Sequence, residues 1–542
     1  MKKILYILPV LALFVGINGC SDNDFATLYP DPSKTSTVSC EKLMTGVFYS
    51  ALTYTKPTRD GIEYLNLTIY GMNSQTVGYV NNGYTFRIGS APDTRWKDFY
   101  KTVAQFRMLE DTYGKLDDAG KKDNEIFVLL AEVFVYEQLQ QMVDVFGDMP
   151  FSTAGTLAIA GDAVTSKPTY DKAEDIYTTM LDRLGAINTR LAALQTAGLS
   201  TIAQNYLPKQ DYICNGDLVA WQRFANSLRL RVALRVASNG SLTSKAQGVL
   251  KEVIENPGAN PVIESNAQNI LIAADNDGFD PHLDESGSHG IRDAYEADDG
   301  RNQTAPQALL DELTGDPRLS IMFKQKGGIY RGMKYDENES QQGIDLRDKL
   351  YSVVDSATFG WNSKYPGILV TAAEVSFIKA EAFNNAWASG SAENAFKEAV
   401  TQSVEFYFYL NSLSSYRTPA TVPTPAEVTT FADGLWNNTS LYADNATAIG
   451  TQKWIHFSLI LQREAWAELR RTALPVLTFQ DIPDARAFNL PVDRFMYPES
   501  EYLYNKANYP ADASRNAVTE NKRKLFWAKP AGWYQTIPQV AP

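Results

Sequence analysis

Helical periodicity recurs along this chain more than any other pattern, and it sets the fold class. From Asp123 to Phe146, apolar residues fall at Ile126, Leu129, Leu130, Val133, Tyr136, Leu139 and Val143. Spacings of three and four place them on one helix face. Asp171 to Leu194 repeats the habit with Ile176, Met180, Leu184 and Ile187, and Asp217 to Ala237 does so with Val219, Trp221, Phe224, Leu228 and Val232. Thr94 to Leu116 and Gln452 to Arg471 are further candidates. The pattern predicts a mainly α protein of at least eight helices, some forming adjacent hairpins, with little β structure.

One pair is more explicit. Ala373 to Trp387 reads as a helix rich in small residues, Ser389-Gly390-Ser391 as a break, and Glu393 to Tyr407 as the start of a second helix. Ala380 and Ala382 permit close approach of a neighbour, and Ala395 and Ala399 repeat this on the second helix. A helix, short turn and helix with small residues at the contact resembles a tetratricopeptide unit. No fixed 34-residue period can be laid over the chain, so the expected scaffold is an irregular helical repeat. Long stretches at Tyr54–Thr94, Asn256–Asn302 and Gly327–Gly367 lack helical periodicity. Loops of such length in a compact protein are usually functional or disordered, and their aromatics argue against disorder.

The N-terminus has a different character. Met1-Lys2-Lys3 precedes an apolar run from Ile4 to Ile17, followed by Asn18-Gly19-Cys20. The run is too short for a bilayer span, which needs roughly 20 residues, and it reads as a secretory signal over 1–19. Cys20 after Gly19 resembles a lipobox, with Ile17 and Asn18 departing from the usual residues. That resemblance implies a thioether-linked diacylglycerol and an N-acyl chain on Cys20, and several acyl chains anchor stably. Ser21-Asp22-Asn23-Asp24 resembles the acidic tag that directs some Gram-negative lipoproteins to the outer face of the outer membrane. Residues 20–39 then read as a flexible tether, and 40–542 as a single folded domain.

Composition narrows the partners. The 542 residues are 44% hydrophobic and 21% charged, with a formal charge of −13 that loss of Lys2 and Lys3 deepens by two. Such an acidic body makes nucleic acid a poor partner. After lipidation only Cys40 and Cys214 remain. Two cysteines are no disulfide framework; each reads as a small buried residue, with one bridge between them possible by count.

Four patches, in order, carry a family resemblance. They are Asp144-Val145-Phe146-Gly147-Asp148-Met149-Pro150-Phe151; Leu309-Leu310-Asp311-Glu312-Leu313 with Asp316-Pro317-Arg318-Leu319; Thr371 to Ala382 (TAAEVSFIKAEA); and Glu464 to Thr472 (EAWAELRRT), ahead of Pro475. Arg494 to Glu501 follows. Together with the lipobox, the chain resembles the SusD/RagB family of outer-membrane nutrient-binding lipoproteins. The resemblance implies a noncatalytic protein without cofactor. It would sit over a SusC-type TonB-dependent transporter and deliver oligosaccharides or oligopeptides, with ligand held by variable loops. Read physically, each patch is ordinary. Gly147 and Pro150 end a helix, and Glu374, Glu381, Glu464 and Glu468 beside Arg470 and Arg471 fit local ion pairing. Trp466 fits a core position.

Motifs for catalysis are missing from the sequence. His282, His289 and His456 form no HExxH, and there is no CxxC, Walker A loop or GxSxG elbow. A glycosidase carboxylate pair can lie anywhere in sequence, so a surface glycan-degrading enzyme is the alternative. Asp275-Asn276-Asp277-Gly278-Phe279-Asp280 resembles part of a calcium loop, but Ala273 occupies the first ligand position, and a solvated acidic turn is the plainer reading of Asp275, Asp277 and Asp280. Sugar recognition needs exposed aromatic faces with amide, carboxylate or guanidinium groups alongside. Tyr79, Asn81, Asn82 and Tyr84 supply these in one loop, Tyr295, Arg301 and Asn302 in a second, and Trp361 in a third.

Overall fold

Capping side chains set the start of many of the longer helices. The computed structural model describes residues 38–82, 85–274, 290–296, 304–483 and 488–540. Its principal helices are α1 (Cys40–Ser50), α2 (Ala91–Gly114), α3 (Asp118–Phe146), α4 (Ala173–Ala197), α5 (Thr201–Gln210), α6 (Leu218–Val236) and α7 (Thr243–Glu255). They continue with α8 (Gly290–Glu296), α9 (Ala372–Asn384), α10 (Ala392–Leu413), α11 (Pro425–Leu435), α12 (Asn445–Phe457) and α13 (Gln462–Thr472). Side chains of Asp117, Asp217, Thr371, Ser391 and Asp444 accept from backbone N–H groups in the first turns of α3, α6, α9, α10 and α12. Those donors have no partner within the helix. At the other end of α3, Gly147 adopts φ 72°, a conformation open mainly to glycine.

Helices pack in pairs close in sequence: α1 on α2, α2 on α3, α6 on α7 and α9 on α10, with α4 on α6 across the short α5. Ala373, Ala380 and Ala399 share one buried cluster at the α9–α10 contact, with Ala395 packed against it. The turn between them needs a glycine, because a Cβ on Gly390 would lie 2.3 Å from the Phe383 ring. Among the described residues strand is confined to short pairs: β1 (Ile270–Ile272) with β4 (Gly367–Val370), β2 (Phe323–Lys324) with β3 (Val353–Val354), both antiparallel, and β5 (Leu477–Asp481) parallel to β6 (Tyr534–Pro538). The mainly α expectation holds. Cys40 and Cys214 are both buried free thiols, so the bridge allowed by count is not formed.

Three expectations change. First, α3 is buried on all sides from Leu129 to Phe146 rather than on one face. It is long and apolar enough to cross a membrane by length and composition, yet 94% of its apolar window is buried inside the protein, as for a core helix. Second, Gln452–Arg471 is not one helix: α12 ends at Phe457 and α13 begins at Gln462. Third, the stretches read as non-helical contain helix. Gly61–Gly71 is wound as a π-helix, α8 lies in the second stretch, and Glu339–Arg347 is a short helix in the third.

The charged residues of the sequence patches form a buried network across helices, not local surface pairs. Arg235 of α6 meets Asp144 of α3 at 3.1 Å and Glu468 of α13 at 2.6 Å, and also pairs with Glu464. Arg471 meets Glu381 of α9 at 2.7 Å and Glu468 at 2.6 Å. Lys453 of α12 pairs with the same two carboxylates, and Arg231 bonds Glu374 at 2.7 Å. Each charge so buried must be matched, because removing one partner strands the other in low dielectric. Trp466 is fully buried as expected, stacked near Tyr70 and Phe495 with the Arg470 guanidinium 3.6 Å from its ring centroid.

Candidate functional site: a groove along the π-helix

π-Helical winding is rare, and where it occurs it is frequently at functional sites. Here Gly61–Gly71 packs on α13, α2 and α8, and its outer side forms one wall of a groove of about 390 Å³. Tyr64, 43% exposed, stands in this groove with Asp60 and Thr68 from the same segment. The Thr68 hydroxyl donates to the carbonyls of Glu63 and Tyr64 at 2.9 Å, which leaves its oxygen lone pairs available. Arg87 lines the groove too, with Ser90 and Thr94 at the start of α2. Tyr54 is a further lining residue. Its hydroxyl donates to Asp98 at 3.2 Å, and the Arg95 guanidinium sits 4.4 Å from its ring centroid. Burial raises the Tyr54 phenol well above its usual pKa, so it acts there as a neutral ring and donor. An exposed tyrosine face, a guanidinium, a carboxylate and hydroxyls converge on one volume. That combination suits ring stacking plus hydroxyl recognition, and the volume is that of a small-molecule site.

Tyr54 and Leu65 also line a second, inner cavity. Its walls bring together three segments far apart in sequence: Thr53–Tyr70, the Tyr295 and Tyr365 region, and Leu459–Arg463.

The residues expected from sequence are placed unevenly. Tyr79 is built into the core rather than exposed. It lies parallel to Phe479 with ring centroids 6.3 Å apart, edge-on to Phe86, and its hydroxyl accepts from Gln75 at 3.1 Å. Asn81 is a buried staple donating to the carbonyls of Tyr335 and Glu337 at 3.0 and 2.8 Å. Half-buried Asn82 closes a turn, its N–H donating to the Thr85 hydroxyl at 2.9 Å. Tyr295 is hidden from bulk solvent but lines the inner cavity. Trp361 is half-buried and stacked on the half-exposed Tyr416, centroids 5.0 Å apart at 18°, with the Arg292 guanidinium 4.8 Å from its ring. Arg292 and Tyr295 both belong to α8, so this aromatic pair and the inner cavity are tied to one helix. Cys20, Tyr84, Arg301, Asn302, Asp275, Asp277 and Asp280 lie outside the described residues, as do His282 and His289. Among the described residues no group of His, Cys, Asp or Glu could hold a metal. His456 is a core residue, between the hydroxyls of Thr371 (2.8 Å) and Ser403 (2.9 Å). Tyr64, Arg87, Asp60 and Tyr416 were not singled out by sequence reasoning. The only signal was Tyr64 lying in an aromatic, non-periodic stretch.

The comparisons follow the same fold. A family model described as starch-binding, associating with outer membrane, matches residues 32–498. The chain belongs to the SusD-like family. Solved structures of the family superpose over nearly their whole length. A chitin-binding protein is 21% identical with a TM-score of 0.69, over 90% of this chain and 100% of the other. A chitin-binding SusD homologue from Flavobacterium johnsoniae is 19% identical with a TM-score of 0.65, over 90% and 99%. A SusD homologue from Bacteroides thetaiotaomicron is 20% identical with a TM-score of 0.60, over 91% and 99%. At these identities the likeness is one of fold. No curated protein matches the chain. The helix pairs of this SusD-like chain, α9–α10 foremost, are thus the tetratricopeptide-like scaffold of the family.

Proposed function

We propose that this SusD-like protein is a noncatalytic, cell-surface glycan-binding lipoprotein that captures oligosaccharide in the π-helix groove and delivers it to a SusC-type TonB-dependent transporter. The observation that carries the reading is the groove itself: exposed Tyr64 and Arg87, with Asp60, Thr68 and Ser90, around one volume of about 390 Å³. Membership of a family described as starch-binding supports glycan over peptide as cargo, and two of the structural relatives are themselves chitin-binding proteins. Among the described residues lining the groove Asp60 is the single carboxylate, whereas glycoside hydrolysis uses a pair; this favours binding over the glycan-degrading alternative. The Trp361–Tyr416 pair is read as a second aromatic contact, and Cys20 as the acylated anchor facing the body outward from the outer membrane.

Calorimetry against a panel of oligosaccharides and oligopeptides tests the reading. Tyr64→Ala should weaken oligosaccharide binding by about 1 kcal/mol or more, the worth of an aromatic stack, without product formation in the parent. Peptide binding unaffected by Tyr64→Ala, or turnover of the glycan, would refute it. Lipid-precursor labelling of Cys20 and its loss in Cys20→Ser tests the anchor.

A further inference from the structure

The inner cavity shares Tyr54 and Leu65 with the groove but differs from it in character. Among the described residues the cationic side chains that line it are Lys56, Arg95 and Arg463, and no Asp or Glu does, in a chain whose formal charge is −13. Arg95 is the informative one. It is 3% exposed, and its Nη2 donates to the amide oxygens of Gln138 at 2.7 Å and Gln141 at 3.3 Å. Among the described residues no carboxylate forms an ion pair with it. The nearby Glu137 is already engaged by Arg463 at 3.1 Å and Arg231 at 3.7 Å, and by the amides of Gln138 and Gln141 at 2.5 and 2.6 Å. Other donors face the same space without an acceptor among the described residues. Gln462 is 2% exposed and its buried Nε2 has no hydrogen-bond partner.

A guanidinium held out of water whose hydrogen bonds all go to neutral amides is costly, and an anion beside it would reduce that cost through charge-assisted hydrogen bonds. Burial draws the Arg95 pKa below its usual value, with the neighbouring Arg463 charge acting in the same direction. The cavity volume of about 70 Å³ admits on the order of five waters, enough for an oxyanion and part of the ring that bears it. Tyr54 lines both the cavity and the groove, and its ring lies against the Arg95 guanidinium, 4.4 Å from centroid to Cζ.

We propose that the inner cavity is an oxyanion subsite centred on Arg95, and that the glycan taken by the groove is an acidic one, carrying a uronic-acid carboxylate or a sulfate ester. This rests on the glycan reading of the groove. The oxyanion inserts past Tyr54 to Arg95, Gln462 and Arg463 while neutral sugar rings remain against Tyr64.

The test uses the full chain and calorimetry with oligogalacturonate, sulfated oligosaccharide and neutral oligosaccharide of matched length, together with D-glucuronate and glucose as monomer probes. The parent should bind one acidic class at least about tenfold more tightly than the neutral one, the worth of a charge-assisted hydrogen bond, and the tighter class identifies carboxylate or sulfate. Arg95→Gln should abolish that preference with an unchanged circular-dichroism spectrum, and Arg95→Lys should retain part of it. Equal binding of neutral and acidic oligosaccharides, unaffected by Arg95→Gln, overturns the subsite and leaves the glycan reading standing. Arg95-dependent glucuronate binding without binding of any oligosaccharide supports the subsite and overturns the glycan reading. Binding of neither monomer nor oligomer overturns both.

Discussion

Glu468→Gln is the substitution that most directly tests how the helices are held together. Glu468 is 6% exposed, and its carboxylate serves three cations: Arg235 and Arg471 at 2.6 Å each, and Lys453. Gln has nearly the same shape but one carbonyl oxygen and an NH₂ group. One of the two oxygens, already surrounded by donors, becomes a donor itself. Breaking a buried pair of this kind costs about 3–5 kcal/mol, because the stranded charges stay out of water. Unfolding entropy of roughly 2.1 cal/mol/K per residue over a unit of about 500 residues is near 1 kcal/mol/K, so Tm should fall by about 3–5 °C. A surface control sharpens the result. Glu393→Gln removes the 2.6 Å pair with Lys397, in which the Glu393 side chain is 46% exposed; such pairs are worth about 0–1 kcal/mol, so Tm should move by about 1 °C or less. Calorimetric melts at pH 7 decide it. A Glu468→Gln melt within about 1 °C of the parent, or no larger than the control, refutes the view that this network fastens the scaffold.

The same folded interior predicts acid sensitivity. Burial pushes the His456 imidazole down to about 3, with the Arg318 charge adding to the effect; its other close neighbours, Thr371, Ser403 and Phe377, are neutral. The folded state therefore favours neutral His456, and its contribution, present above the unfolded value near 6.5, is lost as pH falls toward 3. His456→Gln should flatten the decline of Tm between pH 6.5 and 4 relative to the parent; an identical slope counts against this assignment. Ala382→Trp overpacks a fully buried position on α9 and should cost about 1–3 kcal/mol or more, read as a lower Tm; an unchanged melt would mean that this face is not a helix contact. Trp361→Ala should weaken oligosaccharide binding by roughly 1 kcal/mol while the fold is retained, and an unchanged affinity removes the Trp361–Tyr416 pair from the site.

The helical scaffold was legible because its signal is local. Spacings of three and four in Asp123–Phe146, and the small-residue turn around Gly390, need no knowledge of distant chain. The π-helix was not legible for the same reason: its i→i+5 winding places Tyr64 and Thr68 outside the 3.6-residue template. The break between α12 and α13 was likewise missed, since apolar residues continue through Leu459, Ile460 and Leu461. Exposure of aromatics was the least readable property. Tyr64 and Tyr79 lie in the same stretch, yet only Tyr79 is buried. What separates them is a contact with Phe479, and the Gln75 side chain that bonds both Tyr79 and the Thr478 carbonyl. Those partners lie some 400 positions away.

Scaffold and site are parts of one electrostatic arrangement. α13 begins with Gln462 and Arg463 on the wall of the inner cavity and continues with Glu464 and Glu468 in the ion network. Glu137 of α3 joins the two, accepting from Arg463 at 3.1 Å and from Gln141, another cavity residue, at 2.6 Å. Burial opposes ionisation of Glu464 and Glu468, but the surrounding arginines and Lys453 outweigh it and hold both carboxyls below their usual range. They stay charged at neutral pH, as their cations require. The network fastens α13, and α13 packs against the π-helix that walls the groove. Its positive end at Arg463 contributes to the charge of the cavity floor. A substitution such as Glu137→Gln is therefore expected to act in both places, lowering Tm as a network residue does and altering the field at Arg95, which Glu137 partly offsets. Separating these effects requires measuring stability and binding on the same variant, since a purely structural role would move only the first.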